Sequence, residues 1–173
     1  MKPWNRVVVT TIVLLGLGGS AWSQTLGRAP VIREDNLSGP RFGLTMLSNG
    51  NILKLKEHSI DVHPLISQFG WQFEKEIYNN NDGVRALSEW IPLLSGLDQG
   101  YALPSLNWLA GVRTSSGAEF GIGPNITPLG VGLVIAAGVT VRSGVLNVPL
   151  NFAVVSSKSG PRVSIMTGFN IRR

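Results

Sequence analysis

From residue 66 to residue 171 the sequence alternates, with a period of two, between large apolar residues and small or polar ones. The stretch "FGWQFEKEIY" (residues 69–78) shows the pattern, with its aromatic residues on one parity and its glycine, glutamine and glutamates on the other. Successive side chains of a β-strand point to opposite faces. The period therefore predicts strands with one apolar face and one small or polar face.

Eight segments carry this alternation between residues 40 and 171, separated by turn sequences such as "NNND" before Gly83 and the pair Ser143-Gly144. Short turns join antiparallel neighbours, and no helical pattern interrupts the strands after residue 66. The sequence therefore predicts an all-β fold, an antiparallel up-and-down β-barrel of about eight strands over residues 40–173. Closure of the barrel removes exposed sheet edges, and a barrel this small is filled by its own side chains.

The N-terminal segment has the layout of a secretory signal peptide. Lys2 and Arg6 precede an apolar run, and small residues lead to "AWS" before Gln24. This layout predicts a signal peptide over residues 1–23 with cleavage after Ser23, and an uncleaved N-terminal anchor is the alternative. Residues 24–39 mix Pro, Gly and charges without a period and predict a flexible or loosely docked lead-in to the barrel.

Residues 49–65 break the alternation and are compatible with a short helix, a plug or a loop. The chain has no cysteine, which excludes a disulfide framework and a lipid-modified cysteine.

The residues on the two faces of the predicted strands indicate which face lies outside the barrel and whether that face meets water or lipid. Charged residues make up 14% of the chain, which also contains 21 glycines, whereas soluble domains typically have about 25% charged residues. If the large apolar residues filled the barrel, glycine and small residues with few charges would face water, which is a poor soluble surface. We therefore predict that the apolar face meets lipid and that the glycines and charges point into a narrow lumen. Strands near ten residues also match the length that crosses a bilayer.

Charged residues on the inward parity need partners, because an unpaired buried charge is very unfavourable. We predict that the lumen holds a charge network drawn from Glu74, Glu76, Glu89, Glu119, Arg113, Arg142 and Arg162. At least one of Glu74, Glu76 and Glu119 should lie within salt-bridge distance of an arginine. On the outward face, the candidates for aromatic girdles at the membrane interfaces are Trp71, Trp90, Trp108 and Phe169.

With its signal segment, dyad repeats such as "QFGWQFEKEIY" and "GVGLVIAAGVTV", and final strand "RVSIMTGFNIRR", the chain resembles the small outer-membrane β-barrel proteins of Gram-negative bacteria. The resemblance covers residues 40–173 and rests on architecture. It implies localisation in the outer membrane, with the lipid bilayer and the outer-membrane assembly machinery as partners. Such barrels usually end on an aromatic residue that the machinery reads, whereas here "NIRR" follows Phe169.

Other chemistry has little support in the sequence. His58 and His63 lie near Glu57 and Asp61, but they do not complete a metal-ligand spacing, and we expect no metal, cofactor or catalytic residue. The basic residues are scattered, so no stripe for nucleic acid exists. We expect a non-enzymatic structural or interaction element, or a narrow passage for a small solute. The alternatives are a secreted lipocalin-like barrel that binds an apolar ligand and a barrel-borne enzyme that modifies lipid.

Overall fold

A computed structural model describes residues 36–80 and 83–171. The predicted signal peptide and its cleavage site lie outside the described residues, as does the lead-in up to residue 35. The first four strands are β1 (Gly39–Leu47), β2 (Leu65–Asn79), β3 (Arg85–Ser95) and β4 (Leu103–Arg113). They are followed by β5 (Ala118–Thr127), β6 (Gly130–Ser143), β7 (Leu146–Ser157), β8 (Arg162–Gly168) and the two-residue β9 (Asn170–Ile171).

Each of the strands β1 to β7 pairs antiparallel with the next along the chain, and β8 also pairs with β1. This last pairing, which runs from Arg41 opposite Gly168 to Leu47 opposite Arg162, closes the sheet. After Phe169 the chain adds β9, which pairs with the beginning of β7. The structure thus confirms the predicted all-β fold, a closed antiparallel barrel of eight strands.

The two ends of the barrel differ in their connections. At the end where β1 begins and β9 ends, which we call the terminal end, the strands are joined by short turns such as 114–117 and 144–145. At the opposite end, which we call the helix end, β1 and β2 are joined through the helix α1 (Asn49–Glu57). The helix end also carries the loop 96–102, with a 3-10 helix over Leu97–Gln99, and the turns 128–129 and 158–161.

Residues 49–57 form a helix whose polar and apolar side chains both find partners outside it. Asn51 donates hydrogen bonds to Ser48 Oγ and to the carbonyl oxygens of Gly160 and Pro161, at 2.9 to 3.1 Å. Leu55 packs in an apolar cluster beneath the helix. The helix therefore lies across the helix end of the barrel. Within the described residues, no helix has the length and apolar character needed to span a membrane.

The alternation places the large apolar side chains outside and the polar ones inside. In the opening stretch, Phe69 and Phe73 are 55% and 53% exposed, whereas Gln72 and Glu74 are 1% and 9% exposed. Among the described strand residues, Lys75 is the one charged residue on the outward parity. The barrel thus has an apolar exterior and a polar or small interior surface.

Inward glycines allow neighbouring strands to approach closely. A Cβ atom added at Gly43 would collide with the carbonyl oxygen of Ile165, and one at Gly123 with the carbonyl oxygen of Trp108. At Gly121, two residues before Gly123 on the same face, the added atom would lie 3.4 Å from Leu109 Cβ, an ordinary contact. The glycine-rich parity therefore serves strand packing at some positions and lumen space at others.

The interior is layered along the barrel axis. Charged residues fill the terminal end, and an apolar layer follows, formed by Ile91, Leu93, Leu109, Val134, Val155 and Met166. Beyond it lies a polar layer, in which Thr45 and Ser164 are hydrogen-bonded at 2.6 Å and Gln68 Nε2 donates to Ser95 Oγ at 3.1 Å. A second apolar cluster packs under α1 and is formed by Leu47, Leu55, Val62 and Ile66.

Candidate functional site

Arg113 joins two carboxylates across the lumen at the terminal end. Its guanidinium forms a two-pronged pair with Glu74, in which Nη1 donates to Oε1 at 2.7 Å and Nη2 donates to Oε2. Its Nε donates to Glu119 Oε1 at 2.8 Å. Because Glu74 lies on β2 and Glu119 on β5, Arg113 on β4 connects strands that are not neighbours in the sheet. Two-pronged pairing to carboxylates is the geometry that the planar guanidinium favours.

The end of the lead-in is held by this charged layer. Leu37 is buried, and its amide donates to Glu74 Oε1 at 3.3 Å, while the amide of Glu74 donates to Ser38 Oγ at 2.9 Å. Asn36 also donates to the carbonyl oxygen of Glu74 at 3.3 Å. Of the lead-in predicted as flexible or loosely docked over residues 24–39, the described residues 36–38 are therefore docked, and β1 begins at Gly39.

Arg41 completes the charged layer, although it is not among the residues predicted for the lumen charge network. It is 1% exposed; its Nε donates to Gln72 Oε1 at 3.0 Å and its Nη2 donates to the carbonyl oxygen of Leu37 at 2.7 Å. Its Nη1 donates to Asn170 Oδ1 at 3.4 Å. Arg41 thus links the segment before β1, through Leu37, with β9, through Asn170. The signal was its inward parity, opposite that of Phe42 and Leu44.

The other predicted glutamates have different surroundings. Glu76 lies at the rim of the terminal end, where Arg85 Nε approaches its Oε2 at 3.7 Å. Glu89 is 8% exposed and stands opposite Glu74 in the β2–β3 register. Within the described part of the chain, Glu89 has neither an ion pair nor a hydrogen bond. The layer consequently contains Glu74, Glu89 and Glu119 against Arg41 and Arg113.

Two of the predicted network arginines do not join the buried carboxylates. Arg142 is exposed near the end of β6, where its Nη1 donates to the carbonyl oxygen of Ser115 at 3.5 Å. β4 and β8 both run from the helix end to the terminal end. Arg162 is the first residue of β8 and lies at the helix end, whereas Arg113 is the last residue of β4 and lies at the terminal end. The apolar layer separates Arg162 from the glutamates. Inward parity was thus insufficient, and height along the axis decided the partners.

The predicted girdle residues all face outward, and the three tryptophans lie in the middle of their strands, Trp71 as the seventh residue of the fifteen-residue β2. Trp71, Trp90, Trp108 and Phe169 are 41% to 48% exposed. Trp90 and Trp108 pair across strands with ring centroids 5.9 Å apart, and each is the sixth residue of an eleven-residue strand. Aromatic belts lie at the two membrane–water interfaces, so the girdle role of these residues stays a prediction. Phe169 lies at the terminal end, between β8 and β9.

No protein-family model matches this chain, and neither a curated protein nor a solved structure shows significant similarity to it. The closed barrel of eight antiparallel strands fits the architecture of the small outer-membrane barrels. What the site can do chemically is therefore inferred from its own residues.

The two histidines lie at the helix end, away from the acidic layer. His58 ends α1, where its ring Nδ1 is 2.9 Å from the carbonyl oxygen of Lys54. His63 is exposed, and its amide donates to Gln99 Oε1 at 2.6 Å. Within residues 36–80 and 83–171, no three His, Cys, Asp or Glu side chains form a group that could hold a metal ion.

The loop 96–102 is fastened to β2 by Asp98. Ser67 donates to Asp98 Oδ1 from its hydroxyl at 2.6 Å and from its amide at 3.1 Å. These hydrogen bonds, the hydroxyl bond above all, lower the pKa of Asp98 because they favour the ionised carboxylate. The loop is thereby held as one wall of the barrel mouth.

Two cavities meet beneath α1 at the helix end. The apolar cavity, of about 220 Å³, is lined mainly by apolar side chains such as Leu47, Leu55 and Ile66, with Gln68 and Arg162 at its polar side. The basic cavity, of about 320 Å³, opens between α1 and the turns 128–129 and 158–161. Arg162, Asn51, Thr127 and Leu129 line both cavities. No pattern in the sequence predicts this mouth, because it depends on where α1 packs.

Proposed function

We propose that this chain is an integral β-barrel protein of the outer membrane of a Gram-negative bacterium, with a structural or interaction role and no enzymatic activity. The outward face of the barrel carries the proposal. That face presents large apolar side chains, among them Leu44, Phe73, Ile122, Leu133, Ile135, Leu150, Phe152 and Ile165. One charged residue, Lys75, accompanies them within the described strands.

An apolar surface of this extent is favourable in lipid and unfavourable in water. Soluble monomers rarely expose contiguous apolar patches larger than a few hundred Å². In a bilayer the same residues need no cover, and the closed sheet satisfies every strand through its neighbours. The inverted arrangement, with Glu74, Arg113 and Glu119 inside, also suits a protein whose outside is lipid.

The interior favours a scaffold over a passage. The charged layer, the apolar layer around Ile91 and Leu109, and the cluster under α1 follow one another along the axis. A solute moving through would have to displace the buried pair between Glu74 and Arg113 and the apolar side chains behind it. The sequence of layers therefore supports a filled barrel, as expected for about eight strands.

The connections between the strands support one orientation in the membrane. Outer-membrane barrels have short periplasmic turns and longer extracellular loops. The terminal end has the short turns 114–117 and 144–145, whereas the helix end has α1 and the loop 96–102. We propose that the terminal end faces the periplasm and that the helix end, with α1, faces the outside of the cell. Delivery by the outer-membrane assembly machinery is part of the same proposal.

The rival readings have less support. A lipocalin-like barrel binds its ligand in an apolar interior and presents a polar exterior, which is the reverse of the exterior seen here. A lipid-modifying enzyme needs a nucleophile with a base beside it. His58 and His63 lie at the opposite end of the barrel from Glu74, Glu89 and Glu119, so the buried carboxylates have no histidine beside them in the described part of the chain.

Envelope fractionation of the native host, combined with heat modifiability on a gel, tests the proposal. We expect the mature chain in the outer-membrane fraction, with a folded band that shifts on boiling. A chain that is recovered in the culture medium and stays monodisperse without detergent would overturn the proposal and favour the lipocalin-like reading.

A further inference from the structure

Arg162 is a cation without an anionic partner at the barrel mouth. Its Nη2 donates to Asn125 Oδ1 at 2.5 Å, and Asn125 Nδ2 donates onward to Asn107 Oδ1 at 2.6 Å. Its Nε is buried and has no hydrogen-bond partner among the described residues. No ion pair joins Arg162 to a carboxylate in the described part of the chain. By contrast, Arg113 in the same barrel forms ion pairs with two carboxylates.

Arg162 is half-buried with a buried Nε, and a partly desolvated guanidinium that lacks a carboxylate is unfavourable unless something else compensates its charge. Amide oxygens such as that of Asn125 supply hydrogen bonds but no charge. An anion bound at this position would supply the missing partner, with the charge-assisted hydrogen bonds that guanidinium groups form with carboxylate and phosphate.

The basic cavity concentrates positive charge around the same residue. Its lining includes Lys54, Lys158 and Arg162 and no acidic side chain. Lys54 Nζ donates to the carbonyl oxygen of Leu129 at 2.7 Å, which leaves further ammonium donors available. Lys158 is exposed on the turn 158–161. Three cations thus line one cavity, one from α1 and two from the contiguous stretch formed by the turn 158–161 and the start of β8.

The adjoining apolar cavity adds a second requirement. It extends from Arg162 beneath Leu55 toward Ile60, Ile66 and Leu103, side chains that attract hydrocarbon. An inorganic anion would leave this space without an apolar occupant. A neutral hydrocarbon would leave the cations unpaired. The two cavities together match a molecule that is apolar at one end and anionic at the other.

We propose that the helix end binds one anionic single-chain amphiphile, an alkyl chain that carries a carboxylate or a phosphate monoester. The alkyl chain occupies the apolar cavity under α1, and the anionic group lies against Arg162, Lys54 and Lys158. A free fatty acid and a single-chain lipid phosphate share this chemistry. The site goes beyond the membrane role proposed above and does not depend on it, because the binding groups belong to the mouth and not to the outward face.

Native mass spectrometry of the purified mature chain, released from a neutral polyoxyethylene detergent, tests the proposal. Dodecanoate and dodecyl phosphate are titrated as the two sources of the anionic group. Dodecanol tests the need for charge, and inorganic phosphate and butyrate test the need for the chain. We expect a saturable one-to-one complex with dodecanoate, with dodecyl phosphate or with both. Dodecanol, butyrate and inorganic phosphate should each bind at least about tenfold more weakly, because each lacks either the anionic group or the long alkyl chain.

Matched variants locate the site. Arg162→Gln should weaken binding about tenfold or more, and Lys158→Gln, an exposed change that leaves the barrel interior intact, should weaken it to a smaller but measurable extent. Arg142→Gln, at the opposite end, should bind as the unmodified chain does. Heat modifiability of each variant reports whether its barrel is folded.

Binding of only one of the two anionic amphiphiles identifies the source. The proposal is overturned if neither forms a complex, if dodecanol binds as tightly as they do, or if Arg162→Gln and Lys158→Gln both bind like the unmodified chain. Because the measurement reads binding and not location, a negative result leaves the fractionation experiment to decide the membrane role separately.

Discussion

Glu74 and Glu89 stand directly opposite each other on β2 and β3, and both side chains are buried inside the barrel. Arg113 pairs with Glu74 through both of its terminal nitrogens and uses its Nε for Glu119. Arg113 therefore pairs with two of the buried carboxylates, whereas Glu89 lies beside a like charge and has no ion pair among the described residues.

Glu89→Gln should stabilise the barrel. The change removes repulsion between directly opposed carboxylates and leaves an amide of nearly the same shape. We expect the free energy of unfolding to rise by about 1 kcal/mol, measured by urea titration of the refolded protein in detergent with tryptophan fluorescence as the readout.

The matched change at the opposing position should act in the opposite direction. Glu74→Gln breaks a buried pair and leaves Arg113 with one carboxylate, so it should lower the free energy of unfolding by about 3–5 kcal/mol. Equal effects of the two substitutions would show that the charged layer does not distinguish its paired and unpaired carboxylates.

Ile135→Arg should impair assembly in lipid. Ile135 is the sixth residue of the fourteen-residue β6 and faces outward, so the proposed membrane position places an arginine there near the bilayer midplane. The expected destabilisation is about 2–4 kcal/mol, scored as the folded fraction in phosphatidylcholine vesicles. Val145→Arg, in the turn 144–145 at the terminal end, is the control and should fold normally. Equal tolerance at both positions would contradict a lipid-facing exterior.

Gly123→Ala should disturb the β4–β5 pair, whereas Gly121→Ala should be tolerated. The new methyl group at 123 would overlap the carbonyl oxygen of Trp108, but at 121 it would make an ordinary contact with Leu109. We expect a loss of about 1–3 kcal/mol at 123, as for other overpacked sites, and a smaller change at 121. Thermal unfolding followed by circular dichroism compares them, and similar midpoints would indicate that the glycines only provide lumen space.

Acid should release the loop 96–102 from β2. Ser67 lowers the pKa of Asp98, so the anchoring is complete above the ordinary aspartate value of about 3.9 and is lost as pH falls through the lower folded value. Amide hydrogen exchange at Ser67, corrected for the intrinsic pH dependence, should keep its protection at neutral pH and lose it in strong acid. Asp98→Asn should show weaker protection with no such transition, and a transition that persists in this variant would assign it to another group.

Much of the fold was readable from the sequence because strand parity is a local property. The alternation in "GVGLVIAAGVTV" predicted a strand, and the structure has it as β6, Gly130–Ser143. The aromatic residues Phe69, Trp71 and Phe73 of "FGWQFEKEIY" face outward, as their parity predicted. Covalent geometry alone sends neighbouring side chains to opposite faces. Pairing of consecutive strands followed from the short turns, and closure from the need to protect the edges.

Position along the barrel axis was decided only by the tertiary structure. Arg113 and Arg162 share the inward parity and the same predicted role, yet one binds Glu74 and Glu119 while the other lies at the opposite end beside Asn125. The height of a side chain in the lumen depends on strand direction and on the register of all eight strands around the closed ring, which no single segment encodes. The same holds for α1, whose sequence fits a helix or a loop. It lies over the mouth because Asn51 and Leu55 find partners that distant turns and strands bring there.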